Sequence, residues 1–247
     1  MVPLFLFVLG LIFGSFANVI IDRFPKNEDF VLKRSYCDFC RKKLKARDLI
    51  PILSFLILRG RCRFCKGKIH YQYPIVEAIS GLVFLGTFLV FKPIGISGYL
   101  NWFFWLYITE IIFIVLVSDL KYFFIPDKLI YPSVILAFIY NSSIYPFFLS
   151  AFILSGALLF LYLVSSGKWL GLGDVKLAFL VGLLFGLKAF EIFGVAVFAG
   201  AIIGLSLIFL KKANLKTALP FGSFLSGSSI FYILFFEKFS FLSILIK

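Results

Sequence analysis

The chain is expected to be an all-α polytopic membrane protein of about eight transmembrane helices, with a cytoplasmic zinc-ribbon-like loop after the first. Three observations predict this class. Of 247 residues, 62% are hydrophobic and only 15% charged, and the mean hydropathy is +1.04. A soluble chain of this length could not hide that much apolar surface. The apolar runs lack the alternation of a barrel, and backbone groups in lipid must be satisfied within their own segment, so the runs read as helices. Finally, one long polar segment follows the first run and holds all four cysteines.

The first span, Pro3–Ile21, is about long enough to cross a bilayer. It lacks the basic start and the cleavage site of a signal peptide. Residues 22–73 form the polar loop and carry 14 of the 25 Lys and Arg. Apolar spans then recur at Pro74–Phe91, Leu100–Ser118, Leu129–Tyr140, Pro146–Ser165, Val175–Leu187, Ile192–Leu210 and Phe221–Phe236. The fourth and sixth of the eight are short for a bilayer. This divides the chain into a first helix (1–21), a cysteine loop (22–73) and a seven-helix membrane domain (74–247).

Charge sets the orientation. With the loop in the cytoplasm, 21 of the 25 basic residues fall inside and Lys92, Lys188, Lys238 and Lys247 outside, a strong positive-inside signal. The expected protein crosses the membrane with both termini outside. Asp119, Asp127 and Asp174 all fall on the cytoplasmic side. The net charge of +13 is then topological, and no nucleic-acid partner is expected. The lipid bilayer is the partner that the basic face meets.

Cys37-Asp38-Phe39-Cys40 and Cys62-Arg63-Phe64-Cys65 are two C-x-x-C knuckles separated by 21 residues. Four thiolates so paired suit one tetrahedral, structural zinc ion. A redox pair or disulfides are the alternatives, and a reducing cytoplasm disfavours disulfides. His70, the only histidine, reads as a surface residue.

Gly171-Leu172-Gly173-Asp174 stands where apolar sequence resumes. An ionisable residue at a membrane edge is costly and needs a reason. Asp119 closes another apolar run, where a negative charge opposes the helix dipole. Asp127 follows the helix-breaking Pro126 and reads foremost as a helix cap; Asp174 could cap as well. Two carboxylates brought close share a proton, so one activates water while the other polarises a carbonyl. Asp119 and Asp174 are thus a candidate pair for cutting a peptide bond. With one histidine in a basic loop, Ser-His-Asp and Cys-His arrangements are almost excluded. No serine is placed well enough to favour a Ser-Lys dyad.

These residues resemble the type IV prepilin leader peptidase/N-methyltransferase family, intramembrane aspartyl peptidases of the GxGD kind. The motifs run in the family's order: Gly14-Ser15-Phe16-Ala17-Asn18-Val19 with Arg23-Phe24-Pro25, the two knuckles, Tyr73-Pro74-Ile75-Val76-Glu77, Asp119 with Ile125-Pro126-Asp127, Gly171–Leu177, and Leu219-Pro220-Phe221-Gly222. The resemblance implies Asp119 and Asp174 as the catalytic pair. It implies precursors of type IV pilins and type II secretion pseudopilins as substrates, their short basic leader cut just before an apolar helix. It also implies methylation of the new amino terminus from S-adenosylmethionine. Gly171, Gly173 and Gly222 are expected to let the substrate approach, with Asp127 and Glu77 as secondary participants. Ser223 departs from the family, which usually has proline there. A transporter with a regulatory ribbon, or a non-catalytic assembly factor, are the competing readings; few intramembrane charges exist for a transport path.

Overall fold

The computed structural model describes residues 2–26, 28–29, 34–141, 144–212 and 217–236. Lys33, Lys216, Lys238 and Lys247, which enter the charge count above, lie outside the described residues. Among those residues there is no strand beyond two isolated bridges in the cysteine loop, and the rest is helix and turn.

Eight apolar helices stand where the eight runs were expected: α1 (Val2–Arg23), α3 (Gln72–Phe91), α4 (Gly95–Tyr122), α5 (Asp127–Tyr140), α6 (Ile144–Val164), α7 (Leu172–Phe185), α8 (Lys188–Phe209) and α9 (Phe221–Phe231). A ninth, short helix, α2 (Leu53–Ile57), lies in the cysteine loop. Five of them, α1, α3, α4, α6 and α8, are long and apolar enough to cross a membrane by length and composition. Helices α5 and α7 have 14 residues each, and α9 has 11 before a π-type turn, Tyr232–Phe236. The third span is longer than its apolar run predicted, because α4 carries Asp119, Leu120 and Lys121 in a further turn.

By contacts the chain forms two compact units, 1–110 and 111–247, divided within α4. In the first unit α1 and α3 lie in backbone contact. A Cβ on Gly10 would stand 2.7 Å from the Cα of Gly81, and one on Gly14 would stand 2.6 Å from the Cα of Glu77. Such small-residue seams are how helices associate where lipid is as apolar as leucine. Leu6, Val83, Phe84, Trp102 and Leu106 fill the space alongside. Ser80 links three helices, its hydroxyl 2.8 Å from the Gly10 carbonyl and 3.0 Å from Glu110 Oε1.

In the second unit α7 is the central element. From Leu177 to Phe185 nearly every side chain is buried, which is why its sequence is apolar all round. Gly182 lets it press on the Ala151 backbone of α6, and Asn141 Nδ2 donates to the Leu183 carbonyl at 2.7 Å. Gly186, at φ 58°, ends the helix. The helix thus meets mostly protein along its length rather than an open apolar surface.

The glycine seam predicts a clear asymmetry. Gly14→Val should destabilise the protein by about 3 kcal/mol or more, since the neighbouring backbone cannot yield. Gly156→Ala and Gly194→Ala, where a Cβ meets nothing within 4 Å, should be close to neutral. Thermal unfolding in detergent measures both.

Candidate active site and metal centre

Asp119 lies in the last turn of α4 and is buried, with 5% of its surface exposed. Asp174 is the third residue of α7, half-buried, and its Oδ2 accepts the Gly171 N–H at 3.0 Å. Both carboxylates meet the first turn of α9, which starts after Pro220. The Ser223 N–H donates to Asp119 Oδ2 at 2.7 Å, and the Gly222 backbone bonds the Asp174 carboxylate. A Cβ at Gly222 would stand 3.0 Å from Asp119 Oδ2 and 3.0 Å from Asp174 Oδ1. Two legs of 3.0 Å from one point hold those oxygens within about 6 Å of each other. The two aspartates, 55 positions apart in sequence, therefore face one another across the start of a helix.

The three glycines differ in what they admit. At Gly173 a Cβ would lie 3.0 Å from Ile125, and at Gly222 it would meet Ile125 at 2.8 Å as well as both carboxylates. The room at these two is taken by the chain itself. Gly171 is more open, with Asp174 Oδ2 at 3.5 Å as the nearest atom. Asp127 does not act as a cap through its side chain: Pro126 is the N-cap of α5, and no side-chain cap bond forms. Its carboxylate instead receives Lys176 Nζ at 2.7 and 2.9 Å, an exposed pair that also sets Lys176 over the Tyr131 ring. An apolar cavity of about 390 Å³ opens beside the site, bounded by Leu170, Leu219, Phe221 and Phe224.

In the first unit the four cysteine sulfurs lie within 4.8 Å of one another. The two knuckles are one design built twice, 25 positions apart. Tyr36 bridges Lys43, and Arg61 bridges Lys68. Cys37 N–H donates to the Lys42 carbonyl and Cys62 N–H to the Gly67 carbonyl. Arg41 and Lys66 take the same left-handed turn, at φ 57° and 59°. Phe39 of the first knuckle lies over Gly67 of the second, 2.8 Å from where a Cβ would be. Cys37 and Cys65 sulfurs are 3.8 Å apart, and a tetrahedron with sulfurs about 2.3 Å from its centre has edges of about 3.8 Å. The Cys62 thiol is pulled down to about 7, chiefly by the Cys65 backbone, against the upward push of burial. The residues fit a metal ion. His70 is exposed, as expected, and its Nδ1 accepts the Gln72 N–H.

Glu77 is buried in α3 and accepts the Ile52 N–H at 2.7 Å, so it ties the loop to the helix. Asn18 Nδ2 donates to the Tyr73 carbonyl at 3.1 Å, and Tyr73 Oη donates to Asp22 at 2.7 Å. Two contributors to the aspartate site escaped sequence reasoning: Ile125, the wedge beside both glycines, and the backbone amide of Ser223. A main-chain donor leaves no signature in residue type.

Comparison with known proteins gives a consistent result. Residues 8–91 match the bacterial peptidase A24 N-terminal domain, and residues 104–209 match the type IV leader peptidase family. The chain is 30% identical to the prepilin leader peptidase/N-methyltransferase of Bacillus subtilis, over 93% of each chain. It is 30% identical to the type 4 prepilin-like proteins leader peptide-processing enzyme of an enterotoxigenic Escherichia coli, over 92% of each. Against the prepilin leader peptidase/N-methyltransferase of Vibrio cholerae it is 34% identical, over 73% of this chain and 76% of that one. No solved structure matches the chain.

Between the knuckles, Asp48 receives Arg63 Nε at 2.6 Å and the Lys45 N–H at 3.2 Å. Burial pushes its carboxyl up, but the hydrogen bonds and positive charge of Arg63 outweigh this and leave it below the ordinary 3.8. A depressed value means stability that is present above pH 3.8 and lost as the pH falls through the lowered one. Limited proteolysis of the loop should accelerate in that acid window, and Asp48→Asn should already be cleaved faster than wild type at neutral pH and change less as the pH falls.

Proposed function

Since the chain belongs to the type IV leader peptidase family, we propose that it is an intramembrane aspartyl endopeptidase. It removes the leader of type IV prepilins and type II secretion pseudopilins, then methylates the new amino terminus. The observation that carries this reading is the approach of Asp119 and Asp174 to one point at Gly222.

The chemistry follows from the surroundings of each group. Asp174 accepts amides from Gly171 and Gly222 at the positive ends of α7 and α9, which favour its ionised form. Asp119 sits at the negative end of α4, is more buried, and accepts one amide. The proton shared by the pair therefore rests better on Asp119. Asp174 takes a proton from water as its oxygen attacks the scissile carbonyl, and Asp119 gives its proton to the carbonyl oxygen. When the tetrahedral species collapses, the proton held by Asp174 passes to the departing amine, and Asp119 is reprotonated from the new carboxyl. The apolar cavity beside Phe221 offers the adjoining apolar helix of a precursor a place to dock laterally, and Gly171 is the open side of approach.

For the second reaction S-adenosylmethionine would supply the methyl group, its S–CH3 bond breaking to release S-adenosylhomocysteine, while the neutral amine forms the new N–CH3 bond and loses a proton. Glu77, held by the Ile52 amide, is the carboxylate we connect with the charged amine of that step. The four cysteines would hold one zinc ion and leave it no open position, so its role would be structural. The basic loop and both aspartates face the cytoplasm, with the termini outside and the protein in the bacterial inner membrane. The distribution of Lys and Arg supports this orientation.

Asp119→Asn and Asp174→Asn should each lower precursor cleavage by about a thousandfold or more, because one carboxylate cannot be both acid and base. Asp127→Asn, which breaks only an exposed ion pair, should stay within about threefold. The masses of the products of a pilin precursor read the outcome, and full cleavage by a well-inserted Asp174→Asn variant would overturn the assignment. Purified protein should carry about one zinc per chain, lost in Cys62→Ser, whereas metal-free protein isolated without chelator would refute the ribbon.

A further inference from the structure

The cysteine loop is basic along most of its length, yet one stretch of it is apolar and uncovered. It runs from Leu49 to Leu58 and contains α2, which has no buried residue. Leu53, Leu56 and Ile57 are 57%, 62% and 77% exposed, and Leu49 and Ile50 are exposed beside them. Such a run of large apolar side chains marks a surface that meets something other than water. The structure also fixes the depth of this run. The Ile52 N–H, just before α2, donates to Glu77 Oε2 at 2.7 Å, and Glu77 lies about 7.5 Å along α3 from its first residue, Gln72. Farther along α2 the Phe55 ring lies 5.6 Å from the ring of Tyr71, the N-cap of α3. So α2 runs alongside the entry of a helix that is long and apolar enough to cross a membrane. Ile52 takes φ 59° to start it there, a conformation that a β-branched residue adopts only at a cost.

We infer that α2 is an interfacial anchor of the cysteine loop, and that its partner is an anionic lipid surface. Leu53, Leu56 and Ile57 enter the boundary between headgroups and acyl chains, and the exposed Arg47, Arg59 and Arg61 meet the lipid phosphates. Two observations favour lipid over a protein occupant. The first is depth. A surface level with the first two turns of a spanning helix faces the interfacial layer of the leaflet that this helix enters, and interfacial helices bury their apolar face about 5–10 Å there. The second is charge. Residues 41–68 carry ten Lys and Arg and one acid, Asp48, which is turned inward against Arg63. That field suits phosphate and repels a basic peptide. Arg59 and Arg61 follow α2 directly, their N–H groups donating to the Leu56 and Leu58 carbonyls, so their charge stays beside the apolar patch. The loop is thereby attached to the membrane at a third place besides its two ends, and the knuckles on either side of α2 are held near the surface. The inference needs α3 to cross a bilayer and does not rest on the peptidase chemistry.

Photochemical labelling of the full chain tests this. Photoreactive benzoylphenylalanine replaces Leu53 in one variant, Ile57 in a second, and Leu82, exposed in the middle of α3, in a third. Each is illuminated in nanodiscs of phosphatidylglycerol and phosphatidylcholine in equal parts, with and without a pilin precursor, and the adducts are identified by mass. The Leu53 and Ile57 variants should form lipid adducts as the Leu82 variant does. At those two positions phosphatidylglycerol should be labelled about fivefold more than phosphatidylcholine, the factor that one arginine near an anionic surface supplies. Adding Arg59→Gln and Arg61→Gln should remove that bias. Adducts with the precursor, with a second copy of the chain or with another stretch of this one, in place of lipid, would overturn the inference. So would an absence of lipid adducts at both positions while the Leu82 variant is labelled. Equal labelling of the two lipids would overturn the part given to the arginines. Two separate exposed positions are probed, so a variant that fails to fold leaves the other to decide.

Discussion

Two carboxylates held within about 6 Å in a poorly hydrated setting cannot both carry full charge, and the second unit is arranged around that restriction. Three helix ends converge on it. The amino ends of α7 and α9 bring partial positive charge, and the carboxyl end of α4 brings negative charge. The difference distinguishes one aspartate from the other. Gly222 is the pivot, because any side chain there would stand between the two oxygens. The packing elsewhere in the unit, Gly182 on Ala151 and Asn141 on the end of α7, fixes the helix that delivers Asp174.

Much of this was legible beforehand, for physical reasons. Apolar runs that must satisfy their own backbone are helices, so eight of them could be placed from hydropathy alone. The paired knuckles announced four converging thiolates. Asp119 stood out because a carboxylate at the end of a helix has no local stabilisation to explain it. Asp127 was the converse: the pattern Pro-Asp pointed to a cap, while the tertiary partner Lys176, 49 positions away, claimed the side chain. The end of α4 was placed too early because Asp119 is charged, and a helix can continue past its apolar run into a wetter layer. Which oxygen of an aspartate an amide reaches depends on backbone placement, and residue letters do not encode it.

The shorter helices teach a related lesson. Length was expected to track a bilayer, yet α7 is sheathed by protein on nearly all sides and answers to its neighbours. Its two glycines near the start and one in the middle serve different needs. Gly173 and Gly182 admit other parts of the chain at close range, whereas Gly171 leaves space beside a carboxylate. Spacing of glycines alone does not tell these apart.

The seam between α1 and α3 also bears on how the cysteine loop comes to fold. Asn18, Asp22, Gln72 and Tyr73 pin the two ends of that loop together at the base of the helix pair. A free segment of this length would lose conformational freedom in bringing its ends together, at a cost growing with the logarithm of its length. Here the helices meet that cost as they pair, so the knuckles begin their search from a closed ring. Pairing of α1 with α3 and closure of the knuckles therefore support one another, since each lowers the entropy that the other must overcome.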